Sequence, residues 1–323
     1  MSTMEQMTET AFGRDLIIDR KTLKPFMKRT DRAGLIHFCG HMALLMLTGV
    51  LVWQALGSWW IVPAMAAHAV VMAFLFAPVH ECSHGTPFRT RWLNEAVYWT
   101  VCLIYMVPPT VFRYAHATHH TYTQIRGRDP DMLPQRMTVL DYVIYVAGWQ
   151  FWKRNILWFL SHPFGYIDPK QRYYYPESEI PRITAEARVI LAIYAAIAIA
   201  AIWVGTLAPL VLWIIPRFVG EPFMRWMRIA EHGECPEGGD LRENTRTTLT
   251  TRAVRFLFWN MPYHAEHHLA PMVPFHALGD LHGVVRDKMH PVGESYPAVH
   301  AEVLSKISRH EGVTWQSAGV AAE

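Results

Sequence analysis

From Leu35 to Val79 the chain runs 45 residues without an Asp, Glu, Lys or Arg. One helix needs about 20 residues to cross a bilayer, so this run is long enough for two spans, and Gly57-Ser58-Trp59-Trp60 marks a turn between them. Trp53, Trp59 and Trp60 suit an interfacial belt. Lys21, Lys24, Lys28, Arg29 and Arg32 precede the run, which places both ends of this hairpin on the cytosolic side. A cleavable signal would start nearer the N-terminus and have a shorter apolar core, so residues 1–34 read as a cytosolic arm. A second block, 28 uncharged residues between Arg188 and Arg217, is long for one span and short for two. The break at Gly205-Thr206-Leu207-Ala208-Pro209 favours a hairpin whose legs run past the two arginines, which can snorkel. The predicted spans are therefore 35–57, 60–80, 187–205 and 207–224. Two further runs are ambiguous. Ala96–Phe112 is uncharged but interrupted by Pro108-Pro109, and Asp141–Leu160 carries Lys153 and Arg154.

Only 18% of the 323 residues are charged and 51% are hydrophobic, against about 25% charged in a typical soluble chain. Membrane spans carrying a polar body fit this balance; a disordered, collagenous or disulfide-framework chain does not. The net charge of +3 is too small to argue for nucleic acid. Cys39, Cys82, Cys102 and Cys235 form no C-x-x-C pair, and Cys39 and Cys102 lie in apolar runs as packing residues. No repeat, low-complexity tract or linker divides the chain, so one integrated domain is expected, running over 35–290 with a cytosolic tail at 291–323.

The 18 histidines are the compositional oddity, and eight fall in three clusters. These are His80-Glu81-Cys82-Ser83-His84, His116-Ala117-Thr118-His119-His120 and His264-Ala265-Glu266-His267-His268. Spacings of three and four put each cluster's imidazoles on one helix face. A random chain of this histidine content would contain roughly 0.05 copies of H-x-x-H-H, so two copies are not accidental. Imidazole-rich donors without thiolate suit iron, zinc, copper or nickel. Eight or nine are too many for one ion and about right for two. Glu81 and Glu266 are placed to hold ligand N–H groups from behind, or less simply to ligate directly.

In these boxes the chain resembles the membrane-bound fatty acid desaturase/hydroxylase superfamily, integral-membrane di-iron enzymes with three histidine boxes. The likeness covers Leu35 to the helix after Pro274. Arg128-Asp129-Pro130-Asp131 after the second box, and Asn260 ahead of His264 in an N-x-x-Y-H-x-E-H-H pattern, match as well. The resemblance adds His232, in Ala230-Glu231-His232-Gly233, as a ninth ligand, and brings Asp129, Glu231 and Asn260 in as residues supporting the ligands. It implies two non-haem irons, O2 as co-substrate and no acid or base beyond the metal centre. Because the boxes must meet, an even number of spans separates them. Ala96–Phe112 is then re-entrant or interfacial, and Asp141–Leu160 lies along the membrane surface. The fold expected is all-α: four transmembrane helices in two hairpins, interfacial helices and a cytosolic histidine-rich cap. The protein would sit in a bacterial cytoplasmic (inner) membrane with both termini cytosolic; its oligomeric state is open.

The reaction implied is oxidation of an unactivated C–H bond in a fatty acyl or hydrocarbon-like substrate. Desaturation is the first reading; hydroxylation or oxidative demethylation, including of small non-lipid compounds, is the second. The first box has three intervening residues and the third begins with His, which points to an acyl-lipid-type desaturase or a hydroxylase. The chain carries no iron–sulfur, flavin or nucleotide fingerprint, and His162-Pro163-Phe164-Gly165 reads as a turn rather than a haem loop. A separate electron donor of ferredoxin, rubredoxin or cytochrome b5 type, with its reductase, is implied. Arg89, Arg91, Lys153, Arg154, Arg225 and Arg228 could dock an acidic carrier, or simply follow the positive-inside rule. Metal transport would instead string its ligands through the spans. A b-type haem on His37, His41 and His68 competes with a reading of these as interfacial polar residues. His276, His282 and His290, after Pro274, are assigned to the surface or behind the ligands, and the substrate channel to apolar side chains near Trp149 and Trp259.

Overall fold

The computed structural model describes residues 17–133, 137–238 and 240–309. The chain is helical nearly throughout. The first long helix, α1 (Asp31–Gln54), is capped by Thr30, whose hydroxyl accepts from the Arg32 amide at 3.3 Å. It is apolar around most of its circumference, and Met46, Leu47, Val50 and Leu51 face outward, as a lipid-facing helix requires. Its partner is α2 (Ile61–Phe74), continued after Leu75 by α3 (Phe76–Ser83). At that break the Leu75 amide turns to the Met72 carbonyl, and His41 Nε2 donates to the Val71 carbonyl at 2.9 Å. The interruption thus keeps its backbone acceptor satisfied inside the bundle.

Next come α4 (Arg91–Tyr105) and α5 (Pro109–Tyr122), bent by 99°. Met106 closes α4 in the left-handed region and Pro109 opens α5. Two short helices follow, α6 (Val139–Val146) and α7 (Trp149–Ser161), separated by Gly148 at φ +72°. Then comes α8 (Ile180–Val204), whose outer end exposes Ile199, Ile202 and Trp203. A π turn over Leu210–Ile214 leads into α9 (Ile215–His232). The cap is completed by α10 (Arg252–Leu257), α11 (His264–Leu269), α12 (Leu278–Val285) and α13 (Tyr296–Arg309). A two-stranded parallel pair, β1 (Thr247–Thr248) and β2 (Val292–Gly293), ties the cap together.

Among the described residues three segments are long and apolar enough to cross a membrane, Asp31–Gln54, Ile61–Ser83 and Glu177–Val204, and the bent α4–α5 pair makes a fourth if counted as one. The chain is an integral membrane protein. The expected spans 35–57, 60–80 and 187–205 fall on these three. The expected span 207–224 lies in the π turn and α9, where Arg217 and Glu221 interrupt the apolar run. It nevertheless packs closely along α2: a Cβ on Gly220 would come within 2.3 Å of the Ala69 carbonyl oxygen.

The main core joins α2–α5 to the cap. The boundary expected at 290 falls ahead of α13, whose Val299, Val303 and Ile307 enter this same core. His162–Phe164 is a 3-10 turn closed by Gly165 at φ +78°, as read from the sequence. His41 and His68 are buried between helices rather than interfacial. His68 contacts the Thr48 hydroxyl at 2.8 Å and donates to the Leu212 carbonyl at 2.9 Å. His37 hydrogen-bonds Ala33 O and stacks on Phe256.

Candidate metal centre

Each histidine box sits where a helix reaches the cap. His80 lies in α3, and His84 caps that helix one turn later. His116, His119 and His120 share a face of α5, His232 ends α9, and His264, His267 and His268 line α11. Folding sorts these nine across box boundaries. His80, His84, His116, His120 and His267 form one set and His119, His232, His264 and His268 another, the donor atoms within each set all lying within 4.8 Å of one another. Adjacent residues His119 and His120 thus serve different sets, because neighbouring positions on a helix diverge by about 100°.

The contacts within each set are those of ligands around an ion. His116 Nε2 lies 2.9 Å from His84 Nε2 and 3.0 Å from His120 Nε2, which in turn lies 3.2 Å from His267 Nε2. In the second set His264 Nε2 lies 3.0 Å from His232 Nε2 and 3.1 Å from His268 Nε2. A neutral imidazole nitrogen carries one proton or one lone pair, so these chains of contacts cannot all be hydrogen bonds. Two nitrogens at right angles on an ion, each at about 2.1 Å, would be about 3.0 Å apart. His80 Nε2 is buried with no hydrogen-bond partner, and its ring lies 4.2 Å from that of His116. The residues present therefore fit two metal ions.

Burial and the neighbouring imidazoles push His264 and His268 far below the usual imidazole range, and burial takes His84 down to about 3. These rings are thereby kept neutral and ready to ligate; at His119 burial is outweighed by Asp129 and Asp131, which raise the ring above the ordinary imidazole value. Behind the rings, His80 Nδ1 meets Glu81 Oε1 at 3.0 Å, and His119 Nδ1 meets Asp129 Oδ1 at 2.8 Å. Asp129 also accepts from the Gln124 and Asp131 amides, so it is held in place before it holds His119. Asp131 pairs with Arg228 at 2.7 Å. Burial alone would raise the Asp131 carboxyl, but Arg228 and Arg154 hold it well below the usual range.

Three supporting residues went unforeseen. Thr123 contacts His268 Nδ1 at 3.1 Å, and the Asn244 carbonyl accepts from His232 Nδ1 at 3.2 Å. Arg246, fully buried, donates to the Ala230 and Gly233 carbonyls and so caps the end of α9 that carries His232. Thr123 lies one helical turn past His119 and bonds back to its carbonyl, a local signal; Asn244 and Arg246 give none. Glu266 meets His282 Nδ1 at 2.6 Å and accepts from Thr247, rather than holding a ligand's N–H. Asn260 donates to the Phe275 carbonyl at 3.0 Å and shapes the turn into α11. Of the basic residues considered for carrier docking, Arg225 and Arg228 are buried in ion pairs with Glu221 and Asp131; Arg89, Arg91 and Lys153 remain exposed. Trp149 is exposed and Trp259 fully buried, while a cavity of about 640 Å3 opens between Phe74, Phe223, Trp226, Met227, Leu249 and Tyr296.

A helical membrane protein with two compact polyhistidine sets where its helices meet the cap has the architecture of a membrane metalloenzyme. The chain belongs to the fatty acid desaturase family, whose model matches residues 57–300. It is similar to a sphingolipid delta(4)-desaturase/C4-monooxygenase of Homo sapiens, 26% identical over 81% of this chain and 76% of the relative. It is also similar to fatty acid conjugase FAC2 A of Calendula officinalis, 23% identical over 72% of this chain and 68% of the relative. The protein is an oxidoreductase of the desaturase/hydroxylase type.

Proposed function

We propose that this chain is an O2-dependent di-iron enzyme that desaturates a fatty acyl or hydrocarbon-like substrate at an unactivated C–H bond. The observation that carries the reading is the partition of nine imidazoles into a set of five and a set of four in a member of this family. Two irons bound there would supply O2 activation and hydrogen abstraction. The chain's own part is positional. His80, His84, His116, His120 and His267 hold one ion and His119, His232, His264 and His268 the other, while Glu81, Asp129, Thr123 and the Asn244 carbonyl fix ring orientation from behind. The ligands are buried apart from the partly exposed His84, so competing water is excluded. The cavity's apolar wall suits an alkyl chain, and Met227 in that wall lies one helical turn from Glu231 beside the four-histidine set.

The topology that fits is four spans in two hairpins, with α9 completing the second, α6 and α7 interfacial, and both termini cytosolic at a bacterial inner membrane. The catalytic body takes in 35–290 together with α13, whose residues share its core; residues 1–16 of the expected arm and 310–323 of the expected tail lie outside the described residues. Two electrons come from a separate carrier of ferredoxin, rubredoxin or cytochrome b5 type with its reductase. Hydroxylation is the second reading, favoured by the likeness to a relative named as both desaturase and C4-monooxygenase.

The test is expression with a competent reductase system and mass spectrometry of membrane lipids under 18O2. Desaturation yields products lighter by two hydrogens without label, and hydroxylation yields labelled products. An unchanged lipid profile while electrons are consumed overturns both. Metal analysis should find two irons per chain, depleted in His119→Ala or His267→Ala; a variant retaining both would overturn the ligand assignment.

A further inference from the structure

The acidic residues around the two sets differ in which face of the imidazoles they address. Glu81 and Asp129 approach Nδ1 atoms, the rear of rings whose Nε2 atoms converge, and Glu266 reaches only the Nδ1 of His282. Glu231 does the opposite. Its Oε2 lies 3.7 Å from His264 Nε2, the same nitrogen that converges with His232 Nε2 and His268 Nε2 at 3.0 and 3.1 Å. Glu231 is 3% exposed, and its Oε1 has no hydrogen-bond partner. The nearest cation, Arg228 Nε, stands 3.6 Å from Oε2, beyond hydrogen-bonding distance, and the Arg228 Nη2 is committed to Asp131 at 2.7 Å. A buried carboxylate so poorly partnered is costly unless a strong positive charge faces it. The histidine count is also uneven, five against four, and Glu231 lies just outside the 4.8 Å envelope shared by the four, so ligation requires its carboxylate to swing inward.

We propose that Glu231 is the fifth donor of the four-histidine set, making that site four nitrogens and one oxygen beside a site of five nitrogens. This rests on the two-ion reading above. The consequence is chemical asymmetry: a hard, anionic oxygen donor favours the more oxidised state of one iron over its all-imidazole neighbour.

The test uses full-length protein in detergent, loaded with 57Fe(II), comparing wild type with Glu231→Gln and Glu231→Asp by Mössbauer spectroscopy, metal analysis and chelator competition. Wild type should show two distinct ferrous doublets. Glu231→Gln, nearly isosteric, should alter one doublet and release that iron about tenfold or more faster to chelator, leaving the other doublet unchanged. Glu231→Asp should shift the same doublet with smaller loss, and carries the test alone if the Gln variant does not accumulate. Glu81→Gln, at the rear of His80, should perturb the other doublet. Two irons with unaltered doublets and unaltered chelator kinetics in both Glu231 variants would overturn the proposal while leaving the di-iron reading intact. A wild-type protein that takes up no second ion would overturn both.

Discussion

At the scale of single residues, the centre depends on side chains that grip other side chains. Asp129 accepts from the His119 ring and from two backbone amides, so the imidazole is aimed before any ion arrives. Asp129→Asn keeps the shape but loses the charge and turns one acceptor into a donor. It should weaken metal retention by about 10–100-fold, measured by chelator competition; retention equal to wild type would show that His119 is aimed by other contacts. The boxes themselves were legible because ligands three and four apart share a helix face. Asp129 was legible through its motif ten residues downstream. Asn244 and Arg246 were not, since their contacts with His232 and α9 depend on how a loop returns. The same limit explains Arg228, which reads as a surface cation in a basic stretch and is in fact the buried partner of Asp131, 97 positions away.

Among the elements, the bend between α4 and α5 is the one hydropathy left undecided. An uncharged stretch of this length could cross, but Pro108 and Pro109 lack amides to continue the ladder, and the last carbonyls of α4 must find other donors. They find them on the second hairpin: Tyr194 OH donates to Leu103 O at 2.9 Å, Trp213 Nε1 to Ile104 O at 2.6 Å and Arg217 Nε to Tyr105 O at 2.8 Å. Broken backbone buried against protein is the form tolerated at membrane depth. Arg217 also pairs with Glu221 at 2.6 Å, both fully buried. Glu221→Gln, which takes the carboxylate from both Arg217 and Arg225, should cost about 3–5 kcal/mol, whereas Tyr194→Phe, which removes one neutral hydrogen bond, should cost about 1 kcal/mol. Melting temperatures in detergent rank the two, and equal losses would remove the ion pair from this account. Gly220→Leu should lower the melting temperature sharply as well, because the obstacle is the Ala69 backbone and no rotamer relieves it; wild-type stability would mean that α2 and α9 can part at no cost.

For the whole molecule, the clustered imidazoles make acid a denaturant of the metal-free protein. Burial pushes His84 down to about 3 and keeps His264, His267 and His268 far below their ordinary 6.5. Between 6.5 and about 3 these rings therefore bind more protons unfolded than folded, so their contribution to stability rises with pH across that window and is lost as pH falls. The melting temperature of metal-free protein should fall steadily below pH 6.5, because the depressed imidazoles outnumber His119 and Glu231, whose raised values act in the opposite sense. A rise on acidification would mean that the rings are not held neutral.

The sequence by itself determined the apolar helices, the three boxes and the chemistry of their donors, because spans and helix faces are local properties set by runs and spacings of a few residues. Only the tertiary structure decided that His119 and His120 part company, that α4–α5 folds back on the second hairpin, and that Arg217, Arg225 and Arg228 turn inward. Those outcomes follow from the packing of α2, α5, α9 and α11 around a common centre, where each buried charge and broken carbonyl must find a partner far away in the chain.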